Sequence, residues 1–175
     1  AIIDFNRLVS GKEKHNLLGN TDNVPQVRFV FTVDADTRIP NDTIKKMAAI
    51  MAHPLNCPEI KSNGACSYVG SGYGILQPAV MTEPLRRKRT AFADIYTGDV
   101  GIDAYFARNS DFYFDACLEG IYTGKGMYDP AVFNEIAENT FRDETVLSHD
   151  LLEGSYMRTA FTSNITIYDG FPGNY

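Results

Sequence analysis

Two aspartates at positions 34 and 36 are separated by one residue and follow directly after an apolar run. Carboxylates this close repel each other unless a cation, hydrogen bonds or solvent compensates their charge, and a hard divalent ion with oxygen ligands is one solution. An EF-hand is excluded because the twelfth position counted from Asp34 is Lys45, where that loop needs a glutamate. Asp34 and Asp36 therefore indicate a site for a metal ion and phosphate oxygens. The alternative is a solvated turn in which Asp36 helps to cap the next helix.

A second candidate for chemistry is the segment LSHDLLEG at positions 147–154. Ser148 is expected to cap a helix and Asp150 lies in its first turn, where unpaired amide groups and the helix dipole favour an ionised carboxylate. Asp150 is then available as a proton acceptor. The alternative is that Asp150 only stabilises the start of the helix. His149 can bind a ligand or cover the helix end, and a single histidine does not decide between these roles.

Two glycine-rich stretches imitate phosphate-binding motifs and fail to match them. The stretch 70–74 lacks the third glycine of a dinucleotide fingerprint, and 120–126 is one residue short of a P-loop. Gly124, Lys125 and Gly126 still allow the backbone to approach a ligand closely, with Lys125 as a point charge. The alternative is an ordinary tight turn.

The elements around the aspartate pair are predicted from hydrophobic periodicity. The apolar run 27–33 has the pattern of a strand buried on both faces, which predicts a central, parallel strand. Asn41 is expected to cap a helix that ends before His53-Pro54. Its inner face is expected to consist of Ile44, Met47, Ala48 and Met51. The aspartates then lie at the carboxyl end of a strand, where open α/β sheets bind their ligands.

The rest of the chain is predicted with the same rules. Asp129-Pro130 has the residue types of a helix start, an acidic cap followed by proline at the first helical position. The other predicted helices are 2–9, 83–96 and 149–160, and the other predicted strands are 74–80, interrupted at Pro78, 119–123 and 164–168. Residues 54–72 are expected to form an irregular connection, and 97–115 receive no assignment.

Composition narrows the class of protein. At 175 residues with 44% hydrophobic side chains, the chain is long enough for one α/β domain, residues 1–175. A net charge of -6 and a single dense basic run at 86–89 make nucleic acid an improbable partner. The cysteines indicate reduced thiols because their number is odd and no CxxC spacing occurs. No stretch approaches the roughly 20 apolar residues of a membrane span, so the chain is expected to be soluble.

Several motifs, taken in order, resemble the glycosyltransferase domain of cyclic β-1,2-glucan synthases. They are FNRL, DADTRIP, GYGILQP, TGDVGID, GKGMYD, LSHDLLEG and the final YDGFPGNY, and together they extend through essentially all 175 residues. The family is similar to inverting, cellulose-synthase-like glycosyltransferases. The resemblance implies a GT-A (Rossmann-like) fold, with a mixed, mostly parallel sheet flanked by helices, as part of a domain. It also implies UDP-glucose as donor, a growing glucan chain as acceptor, and Mg²⁺ or Mn²⁺.

The resemblance also implies roles for particular residues. Asp34 and Asp36 would be the DxD pair that contacts the donor, with Asp36 as metal ligand. Asp150 would be the catalytic base, and His149-Asp150 stands where related enzymes carry a Glu-Asp pair. Residues 119–126 would border the acceptor site. The substrate-binding residues implied in this way are Glu119, Gly124, Lys125 and His149.

The resemblance further implies that the chain is a catalytic core fragment of a larger, membrane-bound synthase at the cytoplasmic face of the bacterial inner membrane. A first nucleotide-binding strand is expected before Ala1, and a segment bearing tryptophan and arginine is expected after Tyr175. Exposed sheet edges would then let the isolated fragment pair with a second copy. The fragment is expected to need those parts for activity.

Two other classes of protein remain open. A sugar nucleotidyltransferase can also use metal-binding aspartates on an α/β sheet, although the glycine- and arginine-rich triphosphate loop of that class is absent near the first strand. A non-catalytic carbohydrate-binding or assembly module would depend on neither metal nor UDP.

Overall fold

The protein forms an α/β structure with one main sheet and a separate hairpin. The structure is a computed structural model, and it describes residues 2–11, 17, 19, 21, 24–64, 66–82, 112–140 and 150–170. The helices are α1 (Ile2–Val9), α2 (Thr43–Met51), α3 (Phe112–Cys117), α4 (Pro130–Thr140) and α5 (Asp150–Met157). The strands are β1 (Val30–Thr32), β2 (Glu59–Ser62), β3 (Ser67–Ser71), β4 (Ile75–Thr82), β5 (Gly126–Tyr128) and β6 (Thr159–Asp169).

The main sheet has the strand order β1-β5-β4-β6. β5 is antiparallel to both β1 and β4, and β4 is parallel to β6, so β1, β4 and β6 run in the same direction. A mixed α/β sheet in which most strands share one direction was predicted, and this fold class is confirmed. It is compatible with part of a Rossmann-like domain.

Each face of the sheet is covered by helices, because adjacent residues of each strand point to opposite faces. On one face, Ile75, Tyr128 and the partly buried Val30 pack with side chains of α1, α4 and α5. On the other face, Leu76 and Met127 pack against α2, mainly through Met47 and Met51. Two apolar clusters on opposite faces therefore hold the sheet between helices.

The position of β1 differs from the prediction. β1 is only three residues long, half-buried, and the end strand of the main sheet as far as the described residues show, with antiparallel β5 as its neighbour. The prediction of a central strand with parallel neighbours is therefore wrong for this part of the chain. The apolar run was misleading because Val30 and Phe31 pack into different clusters on the two faces without being fully buried.

Pro78 interrupts the ladder between β4 and β6, as its missing N–H requires. Pro78 pairs with Thr162, but the next residue, Ala79, pairs with Thr166, so residues 163–165 of β6 are extra at this point. The predicted strand at 74–80 is thus confirmed with its interruption, and it extends to Thr82. The strand predicted at 164–168 is also confirmed, although β6 begins earlier, at Thr159.

Helix boundaries were predicted with mixed success. Asp129 caps α4 as expected, since its Oδ1 accepts hydrogen bonds from the N–H groups of Ala131 and Val132. The residue that caps α2 is Asp42 instead of Asn41, with a left-handed φ of 63° and no side-chain hydrogen bond. Within α2, Met47 and Met51 are buried but Ile44 is exposed. Helix α2 ends before His53-Pro54 as predicted, and the His53 ring caps the 3₁₀ turn that follows.

Three further assignments are corrected. Residues 54–72 are not irregular, because β2 and β3 pair as a hairpin within them. No strand occurs at 119–123, and the strand that follows the turn is β5. The last helix ends at Met157 instead of residue 160, because Arg158 has a φ of 54° and leads directly into β6. The helix predicted at 83–96 lies outside the described residues. No helix in the described part is long and apolar enough to cross a membrane.

Gly154 offers a test of how tightly α5 packs. A Cβ at this position would lie 2.8 Å from the Cβ of Tyr122, which is too close for side-chain motion to relieve. We expect Gly154→Ala to lower the free energy of unfolding by about 1 to 3 kcal/mol, despite the better helix propensity of alanine.

Urea unfolding followed by circular dichroism measures this effect. Ser155→Ala on the exposed side of the same helix is the control, and we expect it to change the free energy of unfolding by no more than about 0.5 kcal/mol. Equal or greater stability of the Gly154 variant would contradict the close contact with Tyr122.

Candidate functional site

The carboxyl end of β1 is joined to the carboxyl end of β6 by a single lysine. The Nζ of Lys125 lies 2.8 Å from Oδ2 of Asp34, which follows β1, and it also donates to Oδ2 of Asp169, the last residue of β6. Only 14% of the Lys125 side chain is exposed, against 64% for Asp34. The ammonium is therefore a nearly buried counter-ion for two carboxylates from distant parts of the chain.

Lys125 reaches this position because the chain turns sharply beside it. Gly124 has a φ of +83°, a conformation that side-chain-bearing residues rarely adopt. One residue earlier, the buried amide of Gln77 accepts hydrogen bonds from the N–H of Thr123 at 3.3 Å and from its hydroxyl at 3.4 Å. The turn is thus anchored to β4 on one side and continues directly into β5.

The loop that carries the two aspartates is also fixed to β6. The hydroxyl of Thr37 donates to Oδ1 of Asp169 at 2.7 Å, so both oxygens of that carboxylate are engaged. The backbones of Arg38 and Tyr168 exchange two hydrogen bonds as an isolated antiparallel bridge. A tight turn closes the loop, with the N–H of Thr37 donating to the carbonyl of Asp34 at 3.1 Å.

Asp36 lies on the solvent side of this loop. Its carboxylate approaches Gly170 so closely that a Cβ there would lie 3.0 Å from Oδ2. The residue is exposed, and no group in the described ranges donates a hydrogen bond to its carboxylate. Asp36 is therefore the carboxylate of this edge whose oxygens remain open to a ligand from solvent.

Asp150 is brought to the same turn. It begins α5, and a Cβ on Gly124 would lie 3.2 Å from its Oδ2. The Gly124-Lys125 turn therefore contacts Asp150 on one residue and Asp34 on the next. Among the residues predicted for the site, Asp34, Gly124, Lys125 and Asp150 are brought together, and Asp36 lies two residues from Asp34 on the same loop.

Glu119 is not part of this cluster in the structure. Its Oε1 accepts from the Nε of Arg158 at 3.2 Å, and Arg158 directly follows the last residue of α5. Because α5 begins at Asp150, the two ends of the helix are separated by about 10 Å. Arg158 also covers the ring of Tyr73, with its guanidinium carbon 5.1 Å from the ring centroid.

The remaining candidates have simpler outcomes. His149 lies outside the described residues. Tyr122 and Tyr128 are buried in the core, and their hydroxyls bond to Thr32 and Asn6, so both serve packing.

Electrostatics keep Lys125 charged. Burial lowers the pKa of its ammonium, but the hydrogen bonds that it donates to Asp169 and Asp34 outweigh this, so the pKa is raised above the ordinary value. The turn consequently carries a full positive charge at any physiological pH.

Glu153 is a feature that sequence reasoning missed. It lies three residues after Asp150 on α5, and only 9% of it is exposed. Burial raises the pKa of its carboxyl to about 7, with a further contribution from the charge of Asp150. The signal was present in LSHDLLEG, because residues three apart on a helix share a face.

A divalent cation can be matched to these residues by donor chemistry. Within the described ranges, no group of three or more histidine, cysteine, aspartate or glutamate side chains could hold a metal ion. Magnesium in phosphate-binding sites, however, commonly takes only one or two carboxylates, with waters and phosphate oxygens as its other ligands. The exposed oxygens of Asp36, beside those of Asp34, fit that arrangement.

The sequence was also compared with known proteins. No family model matches the chain. It is 37% identical over 174 residues to cyclic beta-(1,2)-glucan synthase NdvB of Rhizobium meliloti (strain 1021). The match covers 98% of this chain but only 6% of that synthase, so the chain is related to one short segment of a much longer protein.

Removing the ammonium at position 125 tests its role as a counter-ion. We expect Lys125→Met to lower the free energy of unfolding by about 1 to 2 kcal/mol, because the partly buried Asp169 loses its neutralising partner. Lys125→Arg should retain most of the stability. Urea unfolding at low and high salt gives the measurement, with the exposed Lys46→Met as control. A Lys125→Met variant as stable as the parent chain would show that the ion pairs contribute nothing.

The raised pKa of Glu153 predicts a pH dependence of stability. The folded chain holds this proton up to about pH 7, whereas an ordinary glutamate loses it near 4.5, so the folded state binds more protons in that window. The contribution of Glu153 to stability is therefore fully present below about pH 4.5 and is lost as the pH rises through 7, a change of about 1 to 3 kcal/mol.

Glu153→Gln should remove this component. We expect the difference in unfolding free energy between the variant and the parent chain to shift in favour of the variant between pH 5 and pH 8. A difference that stays constant over this range would contradict the burial of an ionisable carboxyl at position 153.

Proposed function

We propose that this chain is the core of an inverting glycosyltransferase that transfers glucose from UDP-glucose to a growing β-1,2-glucan chain. The observation that carries the proposal is the convergence of Asp34, Lys125 and Asp150 on one turn at the carboxyl edge of the sheet. The similarity to a cyclic beta-(1,2)-glucan synthase over 98% of the chain supports the same reaction class.

Donor binding is assigned to the loop after β1. Asp36 and Asp34 would hold a divalent cation, Mg²⁺ or Mn²⁺, which when bound supplies positive charge to the diphosphate of UDP-glucose. Lys125 lies beside this loop and adds a permanent positive charge close to where the diphosphate charge develops. The negative net charge of the chain makes such local compensation necessary for an anionic donor.

Proton removal is assigned to Asp150. As the bond between the anomeric carbon and the diphosphate oxygen breaks, its electron pair leaves with UDP, and an acceptor hydroxyl forms the new bond from the opposite side. The hydroxyl proton passes to the Asp150 carboxylate, which acts as general base. Asp150 lies against Gly124 but is only partly buried, so the acceptor hydroxyl is assigned to the solvent side of its carboxylate.

Glu119 and His149 are assigned to substrate binding and not to catalysis. Glu119 borders the acceptor region through its position before the turn, although its carboxylate is engaged by Arg158. The proposal also includes a larger synthase around this chain, associated with a membrane.

Donor binding gives a direct test. We expect UDP-glucose to bind the chain only in the presence of Mn²⁺ or Mg²⁺, and Asp36→Asn to weaken that binding at least about tenfold. Isothermal titration calorimetry measures both effects, and Asp115→Asn is the matched control because Asp115 is also exposed. Binding of UDP-glucose that ignores both the metal and Asp36 would contradict the donor site.

A second variant, Asp150→Asn, separates donor binding from glucosyl transfer. Asp150→Asn should leave the affinity for UDP-glucose unchanged while reducing glucosyl transfer to a β-1,2-linked oligosaccharide by at least about a hundredfold. Transfer is followed as UDP release dependent on the oligosaccharide. Undiminished transfer by the variant would exclude Asp150 as the base.

A further inference from the structure

Asp169 is an acidic group at the carboxyl edge of the sheet that the proposed function does not use. It ends β6, and 23% of its side chain is exposed, against 64% for Asp34. Its Oδ1 accepts from the hydroxyl of Thr37 at 2.7 Å, and its Oδ2 accepts from the Nζ of Lys125. Both carboxylate oxygens are thus engaged by groups of the protein, and Asp169 is less open to a ligand from solvent than Asp34.

The ammonium of Lys125 lies beside the oxygens proposed to hold a divalent cation. Its Nζ is 2.8 Å from Oδ2 of Asp34. Because the distance from magnesium to a ligand oxygen is about 2.1 Å, a cation on either oxygen of Asp34 would lie within roughly 7 Å of Nζ. The Debye length at physiological salt is about 8 Å, so the repulsion between ammonium and cation is only partly screened. Lys125 therefore opposes the binding of a bare divalent ion.

The same ammonium favours a cation that arrives with a diphosphate. The diphosphate of UDP-glucose carries two negative charges, which neutralise the ion and are attracted by Lys125. A lysine ammonium has three N–H donors, and in the described part of the chain Lys125 uses two of them for Asp34 and Asp169. The third can serve a phosphate oxygen while the bond to Asp169 is kept. One positive charge thus discriminates between a bare ion and an ion with its diphosphate.

We propose that Lys125 and Asp169 make cation binding at Asp34 and Asp36 conditional on the diphosphate of the donor. Lys125 supplies the charge that opposes the bare ion. Asp169 is a positioning residue, which holds this charge against Asp34 and offsets part of it. The inference rests on the proposed function for the identity of the ligand, a divalent cation together with a nucleoside diphosphate.

A mechanical link is the competing explanation. If the two ion pairs only tie the loop after β1 to β6, breaking them at either residue loosens the loop. Lys125→Met and Asp169→Asn would then change cation binding in the same direction. A charge effect gives opposite signs, because one variant removes a positive charge and the other removes a negative charge from the same place. Asp169→Asn also keeps the Oδ1 that accepts from Thr37.

Binding of Mn²⁺ alone, followed by electron paramagnetic resonance of the free ion, separates the two explanations. We expect Lys125→Met to tighten Mn²⁺ binding by about fivefold to tenfold, and Asp169→Asn to weaken it by at least about threefold. Lys125→Arg should bind Mn²⁺ as weakly as the parent chain, because the charge is kept. The matched controls are the exposed Lys61→Met in β2 and Asp115→Asn in α3, which change the net charge equally but lie on other elements.

Two results would overturn the inference. One is a change of Mn²⁺ affinity in the same direction in Lys125→Met and Asp169→Asn. The other is a Lys125→Met variant that binds Mn²⁺ no more tightly than the parent chain, including no binding at all. Circular dichroism of each variant shows that the fold is retained. A Lys125→Met variant that unfolds is replaced by Lys125→Gln, which is also neutral.

UDP supplies a second readout, measured by isothermal titration calorimetry in the presence of Mn²⁺. We expect Lys125→Met to weaken UDP binding by at least about fivefold, the opposite of its effect on Mn²⁺ alone. Opposite Mn²⁺ shifts in a chain that binds no UDP would retain the charge effect and contradict the proposed donor site. UDP binding with Mn²⁺ but without those shifts would contradict the inference alone. Failure of the inference and failure of the proposed function are thus distinguishable.

Discussion

One ammonium group between two carboxylates is the interaction on which the candidate site depends. Lys125 connects Asp34, at the end of β1, with Asp169, at the end of β6. Without a cation at this point, two aspartates from strands far apart in the sequence would repel each other across the sheet edge. The positive charge is carried by a turn that also contacts Asp150. A single short segment therefore sets the relative positions of three acidic groups.

Local physical rules were sufficient for the elements that depend on neighbouring residues. Asp129-Pro130 predicted the start of α4 because the cap and the proline act within one turn, and Pro78 predicted an interrupted ladder because it lacks an N–H. The α/β fold class was predicted because some apolar residues have the spacing of strands and others have the spacing of helices. The association of Asp34 with a strand end and of Asp150 with a helix start also depended on local patterns.

Features that depend on contacts between distant residues could not be predicted from local sequence patterns. The place of β1 at the end of the described sheet is decided by its pairing with β5, and no residue of β1 encodes that choice. The partner of Lys125 at Asp169 lies 44 residues away, and neither residue has a distinctive local signature. Glu153 was overlooked for a related reason, since its burial depends on the tertiary packing of its helix.

The extra residues opposite Pro78 have a geometric consequence for the site. Asp169 pairs with Thr82, which lies five residues beyond Gln77 on β4. If β4 were straight, this pairing would place Asp169 about 16 Å further along the strand than Gln77. Lys125 starts near the level of Gln77 and still touches Asp169, so the distal ends of β4 and β6 must curl back over the short strands. Bulged strands bend and coil more strongly than regular ones. A missing amide hydrogen in mid-strand thus helps to bend the two long strands toward the Gly124-Lys125 turn.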